Sequence, residues 1–320
     1  MIGMDREYAT PPLIAIVGPT AVGKSALAIR LAEALGGEIV SADSRQVYRL
    51  MDIGTDKPSP EDRRRVPHHM IDLVWPDEQF TLAQYQQGAY EAINDILRRG
   101  KLPILAGGTP LYINAVLEGW TIPRVEPDPA LRRELERQAG ELGAHALHAR
   151  LRALDPAAAE RILPTNTRRI IRALEVIQRT GRPISQQQGK QPPHYRLLKI
   201  GLTANRHELY RRIDRRIESQ IERGLVDEVA GLLARGYSPD LPSMTGLGYR
   251  QIVDYLRGRA TLNEAVQRLK WDTHNFARHQ GNWFRRMQGV HWIDTTHRDP
   301  APDALDLARR FLSTYPASVV

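Results

Sequence analysis

The residues with the clearest chemical potential form the segment GPTAVGKS, Gly18 to Ser25. A glycine, four residues, a second glycine, a lysine and a hydroxyl residue have the spacing of a P-loop. The segment follows an apolar run and opens a helical pattern, so backbone N–H groups and the helix dipole would converge on a phosphate. Lys24 would neutralise that phosphate, and Ser25 would ligate Mg²⁺. The predicted diphosphate-binding residues are Gly18, Pro19, Thr20, Ala21, Val22, Gly23, Lys24 and Ser25.

Two further turns are predicted to meet this loop. Asp43 and Ser44 follow a second apolar run, and Gly107, Gly108 and Thr109 follow a third. In a doubly wound sheet the ligand lies beyond the carboxyl ends of the strands, where such turns converge. Asp43 would suffer repulsion from a diphosphate, so it is either a base or metal ligand, or simply a helix N-cap. The third run ends in glycines rather than an acid, which disfavours phosphoryl transfer from ATP.

The elements that must position these residues alternate in type. Strands are predicted over 13–18, 38–43 and 102–107, and helices over 24–35, 82–99 and from about 109. This order predicts an α/β fold, a P-loop doubly wound parallel sheet. A returning strand over 196–203, helices over 206–223, 226–234 and 262–286, an edge strand over 290–293 and a helix into Tyr315 complete a helical C-terminal part.

The stretch 126–194 interrupts this alternation with short amphipathic helices and no strand, and it ends in the hinge-like QQQGKQPPH. The predicted domains are therefore a first part of the core over 1–125, an inserted helical domain over 126–194, and a second part of the core with basic helices over 195–320.

Composition limits the class of protein. The 320 residues carry 45 Lys and Arg against 37 Asp and Glu, a net charge of +8, and only six of the basic residues are lysines. This excess favours polyanionic partners, and arginine suits bidentate phosphate contacts. The absence of cysteine excludes disulfides, thiolate zinc sites and a cysteine nucleophile. No signal peptide or membrane-spanning run is recognised, so a cytoplasmic protein without a membrane partner is expected.

Several motifs in order resemble one family. GPTAVGKS, SADSRQVYRLMDIGTDKP, ILAGGTPLY, RRIIRALEV, HELYRRIDRRIESQIERGLVDEV, GLGYRQ and RHQGNWFRR together look like a tRNA dimethylallyltransferase, also called a tRNA isopentenyltransferase. The resemblance spans about 14–293. It implies transfer of a dimethylallyl group from dimethylallyl diphosphate to the exocyclic amine of the adenosine adjacent to the anticodon in tRNA. It also implies Mg²⁺ as cofactor and the tRNA anticodon stem-loop as partner. A monomer is expected, and the sequence leaves the oligomeric state open.

The resemblance assigns roles by position. Asp43 would be the general base, Thr109 and Arg132 would lie at the reaction channel, and Arg206 would lie beside the diphosphate. The 126–194 insertion would clamp the tRNA, and the stretch 274–279, where the family pattern is broken, is left without a role. The implied tRNA-binding residues are Asp43, Ser44, Arg45, Gln46, Asn166, Thr167, Arg168, Arg169, Ile170, Gly248, Tyr249, Arg250, Gln280, Trp283 and Arg285.

Two rival functions remain: a small-molecule P-loop kinase and an RNA-binding protein whose P-loop senses a nucleotide such as ATP. The long arginine-rich C-terminal half disfavours the kinase, since a small acceptor does not require it. Simpler interpretations also stand beside the functional ones.

Those simpler interpretations concern arginines, histidines and tryptophans. The helix arginines either contact phosphate or form a solvated face. His145 and His148 are not expected to share a metal, because no third ligand lies nearby. His68 and His69, in a loop-like stretch, are expected to pack or cap rather than to act in catalysis. The tryptophans of the last long helix are predicted to lie in the core. The residues are Arg211, Arg212, Arg215 and Arg216; His68, His69, His145 and His148; and Trp271 and Trp283.

Overall fold

The computed structural model describes residues 10–193 and 195–314, which divide into two compact units. Of the described residues, one unit contains 10–117 and 195–314, and the other is Glu118–Pro193. Within the described parts of the chain, no helix has the length and apolar character needed to cross a membrane. The predicted helix end at Tyr315 lies outside the described residues.

The first part of the larger unit alternates strands with helices. Its elements are β1 (Pro12–Val17), α1 (Lys24–Leu35), β2 (Gly37–Ser41), α2 (Pro60–Arg65), β3 (His68–His69), α3 (Leu82–Arg98), β4 (Leu102–Ala106) and α4 (Pro110–Leu117). The three predicted strands and three predicted helices are confirmed. The prediction of a loop at His68 and His69 is wrong, because they pair with Ile39 and Val40 as a short parallel strand.

The smaller unit is mainly helical. Its elements are β5 (Trp120–Thr121), α5 (Pro129–Leu142), α6 (Ala144–Leu154), α7 (Pro156–Arg161), α8 (Thr167–Thr180), a single 3₁₀ turn (Ile184–Gln186) and β6 (Gly189–Lys190). Asp128, Asp155 and Asn166 cap three of these helices by accepting backbone N–H bonds. The prediction of no strand over 126–194 is wrong at one point, because β6 pairs antiparallel with β5.

The remainder of the larger unit returns to the sheet and then becomes helical. It consists of β7 (Arg196–Thr203), α9 (Arg206–Glu222), α10 (Leu225–Ala234), α11 (Tyr249–Leu256), α12 (Leu262–Phe284), β8 (Val290–Asp294) and α13 (Ala301–Ser313). Asn205 caps α9 by accepting from the Glu208 N–H, and Thr261 with Glu264 forms a capping box at α12. The predicted strands and long helices are confirmed, whereas the short helices α2 and α11 were not predicted.

The six strands of the larger unit form one parallel sheet in the order β3-β2-β4-β1-β7-β8. Ile14 lies at its centre, opposite Ile104 on one side and Leu198 on the other. Leu13 to Val17 are buried at every position, so both faces of β1 are covered. Because all strands run the same way, the turns that follow β1, β2 and β4 emerge at one edge of the sheet.

Candidate active site

The loop Gly18–Ser25 joins β1 to α1, and its shape depends on glycine at two positions. Gly18 has a φ of +147°, and a Cβ atom there would lie 2.5 Å from the backbone oxygen of Leu202. Gly23 has a φ of +101° and is the N-cap of α1. A side chain at either position would be strained, so these glycines permit the close turn that the motif predicts.

The turn after β2 is tied to the turn after β4. The backbone N–H of Ser44 donates to Oγ1 of Thr109 at 3.0 Å, and the backbone N–H of Thr109 donates to the oxygen of Ala42 at 3.0 Å. A Cβ atom on Gly107 would lie 2.2 Å from that same oxygen. Glycine at position 107 therefore lets the two turns approach closely.

Gln280, from α12, ties the glycine-rich loop to the turn after β4. Its Oε1 accepts from the backbone N–H of Thr20 at 2.8 Å, and its Nε2 donates to the oxygen of Gly108 at 2.6 Å. A Cβ atom on Gly108 would lie 2.7 Å from Nε2 of Gln280 and 3.6 Å from Nζ of Lys24. The predicted convergence of three turns is thus confirmed, and Gln280 is one of the residues that hold them together.

These turns line a cavity of about 800 Å³, a volume typical of sites for small ligands. The loop contributes Thr20, Lys24 and Ser25, and α9 contributes Arg216. Its wall contains both polar and aromatic side chains. The carboxylates and large aromatic rings that line it include Asp43, Asp56, Asp272, Tyr249, Trp271 and Phe276.

Asp43 presents its carboxylate to this cavity. Its Oδ1 accepts a hydrogen bond from the backbone N–H of Arg45 at 2.8 Å, which fixes the orientation of the side chain. No described residue forms a hydrogen bond with its Oδ2. The carboxylate therefore keeps an acceptor oxygen for a group in the cavity.

Lys24 is partly buried and lines the cavity, and its Nζ donates to the oxygen of Pro19 at 2.7 Å. Desolvation, and then the charge of Arg216, lower the pKa of Lys24 from 10.5 to about 7, although the Asp43 carboxylate raises it in part. The ammonium of Lys24 is therefore poorly solvated and lies close to a second positive charge. An anion bound there would restore the protonated form of Lys24.

We expect anion binding to take up a proton at Lys24. Near pH 7 about half of the Lys24 side chains would be neutral, so binding of inorganic diphosphate would take up roughly half a proton and weaken from pH 6 to pH 8. Calorimetry in two buffers of different ionisation enthalpy measures this uptake. Lys24→Arg is the control, because arginine stays charged throughout and leaves only the titration of the diphosphate itself. Equal uptake in both proteins would contradict the assignment.

Arg216 is a site residue that the sequence prediction did not separate from its neighbours. It donates from Nη1 to Oγ1 of Thr20 at 3.0 Å, and its Nε lies 3.4 Å from a carboxylate oxygen of Asp56. A signal was available, because Arg216 falls beside Ile213 and Ile217 on the apolar face of α9. Arg211 and Arg212 instead pair with Glu208, and Arg215 lies 3.9 Å from the same carboxylate.

Arg206 and Arg285 line a second cavity, of about 460 Å³, and not the larger one. The guanidinium of Arg206 lies 5.2 Å from the ring centre of Tyr210. Arg216 is thus the arginine of α9 that forms a hydrogen bond with the glycine-rich loop, and the place of Arg206 beside the diphosphate stays a prediction. Pro19 of the loop and Arg278 of α12 line the second cavity as well.

The residues assigned to tRNA by resemblance fall into different environments. Asp43, Ser44, Arg45, Gln46, Tyr249, Arg250 and Gln280 line the larger cavity. Gln46 and Tyr249 are buried, and each is engaged in hydrogen bonds within the protein. The prediction that Trp271 and Trp283 lie in the core is wrong, because their exposed fractions are 58% and 39%.

In the smaller unit, Arg132 forms two hydrogen bonds with the buried carboxylate of Glu175, at 2.8 and 2.7 Å. These bonds, with that from Arg172, hold the pKa of Glu175 below its ordinary value although desolvation raises it. Ile170 is fully buried, so its side chain does not reach solvent. The channel role of Arg132 and the tRNA contacts assigned to 166–170 stay predictions.

Three of the four histidines, His68, His69 and His148, have structural partners. His148 is buried, and its Nε2 donates to the backbone oxygens of Ala159 and Ile162, while Nε2 of His69 lies 2.7 Å from Glu38. Across the described residues no group of three or more His, Cys, Asp or Glu side chains could hold a metal ion. An Mg²⁺ ion would therefore need oxygens from a ligand in addition to Ser25.

Fold and cavity together define a doubly wound α/β protein in which a glycine-rich loop and a carboxylate face one site. Residues 46–287 match the family model described as IPP transferase, and 11–72 match that described as isopentenyl transferase. A Roseiflexus castenholzii protein named tRNA dimethylallyltransferase is 60% identical over 93% of this chain and 96% of its own. A Pelotomaculum thermopropionicum protein of the same name is 48% identical over 91% and 93%.

Solved structures agree with these relatives. The crystal structure of the full-length tRNA isopentenylpyrophosphate transferase from Bacillus halodurans is 43% identical, with a TM-score of 0.71 over 95% of this chain and 97% of that one. A eukaryotic dimethylallyltransferase acting on tRNA has a TM-score of 0.83 at 26% identity, over 96% and 81%. The chain belongs to the IPP transferase family, and the resemblance stated from its sequence is confirmed.

Proposed function

We propose that the protein transfers a dimethylallyl group from dimethylallyl diphosphate to the exocyclic amine of the adenosine adjacent to the anticodon in tRNA, releasing diphosphate. The observation that carries this proposal is the shared cavity. The glycine-rich loop, with Lys24, and Asp43 line the same space. A leaving anion and a nucleophile that must lose a proton therefore have matching groups within one site.

In the proposed reaction, the exocyclic nitrogen of adenosine forms a bond with C1 of the dimethylallyl group as the C1–O bond to diphosphate breaks. This nitrogen is a poor nucleophile, because its lone pair is delocalised into the purine ring. Asp43 accepts the proton that the nitrogen loses, and the electron pair of the broken bond leaves with the diphosphate. Thr109 keeps the Asp43–Ser44 turn in place through its bond with the Ser44 N–H.

The charge that develops on the departing diphosphate is stabilised by groups of the glycine-rich loop and by one arginine that contacts it. These are the loop backbone N–H groups, Lys24 and Arg216. We propose that Ser25, which is exposed beside Lys24, ligates Mg²⁺ together with diphosphate oxygens. When bound, the ion would supply further neutralisation of the leaving group.

The acceptor must reach the cavity as an unstacked base, since a base inside a stacked loop cannot reach a buried diphosphate. Trp271 and Phe276 are exposed on α12 and line the same cavity. Arg268 lies 5.0 Å from the ring centre of Trp271. Exposed aromatic rings next to arginines are the surfaces on which unstacked RNA bases stack.

Trp271→Ala is expected to weaken binding of the tRNA anticodon stem-loop by roughly 5- to 100-fold, because stacking is worth about 1–3 kcal/mol per base. Affinity for inorganic diphosphate would be unchanged. The control is Trp75→Ala: Trp75 is 42% exposed and carries Arg49 at 5.0 Å, but it does not line the cavity. Fluorescence anisotropy with a labelled stem-loop measures the affinity of both variants. Equal affinities of Trp271→Ala and Trp75→Ala would refute a stacking role.

The test of the proposed function is direct. Purified protein, labelled dimethylallyl diphosphate and unmodified anticodon stem-loop are incubated with Mg²⁺, and label in the RNA is scored. A kinase would instead transfer the terminal phosphoryl group of ATP and ignore the prenyl donor. A nucleotide-sensing RNA-binding protein would bind the stem-loop without transferring any group. Competition by ATP against the donor shows whether a nucleotide also occupies the loop.

We also propose that the protein acts in the cytoplasm as a monomer. All the groups that the reaction requires in the larger cavity come from a single chain, which supports the monomer. Sedimentation at working concentration tests this oligomeric state.

A further inference from the structure

We propose that Glu228 is a positioning residue for transfer: it holds residues 52–56 so that Asp56 keeps Arg216 at the glycine-rich loop. This inference rests on the proposed function and extends it to a residue remote from the reacting atoms. It begins from the 52–56 loop, defined as Asp52 to Asp56, which contains neither helix nor strand. Three of its residues, Gly54, Thr55 and Asp56, line the larger cavity.

The carboxylate of Glu228, on α10, accepts four hydrogen bonds. Its Oε2 accepts from the backbone N–H groups of Asp52 and Ile53 at 2.8 and 2.7 Å. Its Oε1 accepts from the N–H of Gly54 at 3.1 Å and from the hydroxyl of Tyr249 at 2.7 Å. Three consecutive amides therefore converge on one side chain. A carboxylate is suited to this place because it has four acceptor positions and no donor.

Side chains from other elements hold the carbonyl groups of the same loop. Nε2 of Gln220, on α9, donates to the oxygen of Ile53 at 3.0 Å. Nε2 of Gln46 donates to the oxygen of Asp56 at 3.1 Å. Tyr249 leaves no room at the centre of the loop, because a Cβ atom on Gly54 would lie 2.6 Å from its ring. The loop is thus fixed by side chains. The bonds to three of its successive backbone N–H groups all come from Glu228.

The fixed loop ends at the residue that faces the site. Asp56 lies with one carboxylate oxygen 3.4 Å from Nε of Arg216 and the other 3.1 Å from Nη2 of Arg223. Arg216 in turn donates to Oγ1 of Thr20 in the glycine-rich loop at 3.0 Å. The path from Glu228 therefore reaches the group that stabilises the leaving diphosphate. A small displacement of such a group lowers the rate strongly.

The principal test is Glu228→Gln. Glutamine has one acceptor oxygen and an NH₂ group, so it cannot accept all four bonds, and the NH₂ group would face an N–H. We expect kcat/KM for the prenyl donor to fall roughly 10- to 100-fold while KM for the stem-loop stays within about twofold. Affinity for inorganic diphosphate, measured by calorimetry, would fall as well. Glu222→Gln, at an exposed position on α9, is the matched control and would behave as the wild type.

Asp56→Asn and the double variant decide whether Glu228 acts through Asp56. If it does, Asp56→Asn lowers the same constant, and the double variant is about as slow as the slower single variant. The inference would be overturned if the losses of the two single variants multiplied in the double variant, or if Asp56→Asn had wild-type kinetics. It would also be overturned if Glu228→Gln only lowered the melting temperature and left the kinetics unchanged. Asp56 is partly exposed, so its variant keeps the test available if Glu228→Gln does not fold. If the wild type transferred no dimethylallyl group, the proposed function would be refuted instead. The role of Glu228 would then be tested by the affinity of the variants for inorganic diphosphate.

Discussion

Replacing Asp43 by asparagine is expected to lower kcat for dimethylallyl transfer by about 10²- to 10⁴-fold, the usual contribution of a general base. Asparagine has the same shape, and its Oδ1 can still accept from the backbone N–H of Arg45, so the turn should stay intact. The amide cannot take the proton that the adenosine amine must lose. Single-turnover rates with saturating donor and stem-loop measure the effect on the chemical step.

Binding measurements distinguish the loss of a base from the loss of a contact with the substrate. Asp43→Asn should retain the affinity of the wild type for the stem-loop, because it removes a base rather than a contact surface. Asp77→Asn, at an exposed position in the same unit, controls for loss of a carboxylate as such. Transfer by Asp43→Asn at the wild-type rate would show that another group accepts the proton.

Replacing Lys24 by methionine is expected to lower kcat/KM for the donor by about 10²- to 10³-fold, because it removes one of the preorganised charges that meet the leaving diphosphate. Methionine has a similar length and no charge, and the bond to the oxygen of Pro19 is lost with the ammonium. The free protein need not suffer, since Lys24 with its pKa near 7 is already costly to protonate there. Steady-state kinetics with varied donor, and calorimetry with inorganic diphosphate, measure the two effects.

Lys101→Met is the control, because Lys101 is exposed and does not line the cavity. It should leave both constants unchanged. The pH profile adds a second check: folding lowers the pKa of Lys24, so the stability that this group contributes should rise between pH 7 and 10.5, and Lys24→Met should remove that rise. Unaltered diphosphate binding in Lys24→Met would exclude the loop as the anion site.

Local sequence patterns reveal some elements of this protein and miss others. The strands and the long helices follow from apolar periodicity, which acts over a few residues. The short strand β3 was missed because two histidines have no such periodicity, and only pairing with β2 orders them. Trp271 was assigned to the core because large apolar side chains are usually buried, whereas the structure leaves it open to the cavity.

The sequence by itself determined the glycine-rich loop, the order of strands and helices, and the convergence of three turns, because each depends on residue spacing within a short segment or on the rule for parallel strands. It also carried the family, through motifs in a fixed order. Only the tertiary structure shows which of the four helix arginines, Arg216, contacts the glycine-rich loop. It alone shows the bonds of Gln280 with Thr20 and Gly108, and those of Glu228 with the 52–56 loop. Those partners are separated by more than 150 positions in the chain, and their meeting depends on how α9, α10 and α12 pack against the edge of the sheet, which local spacing does not encode.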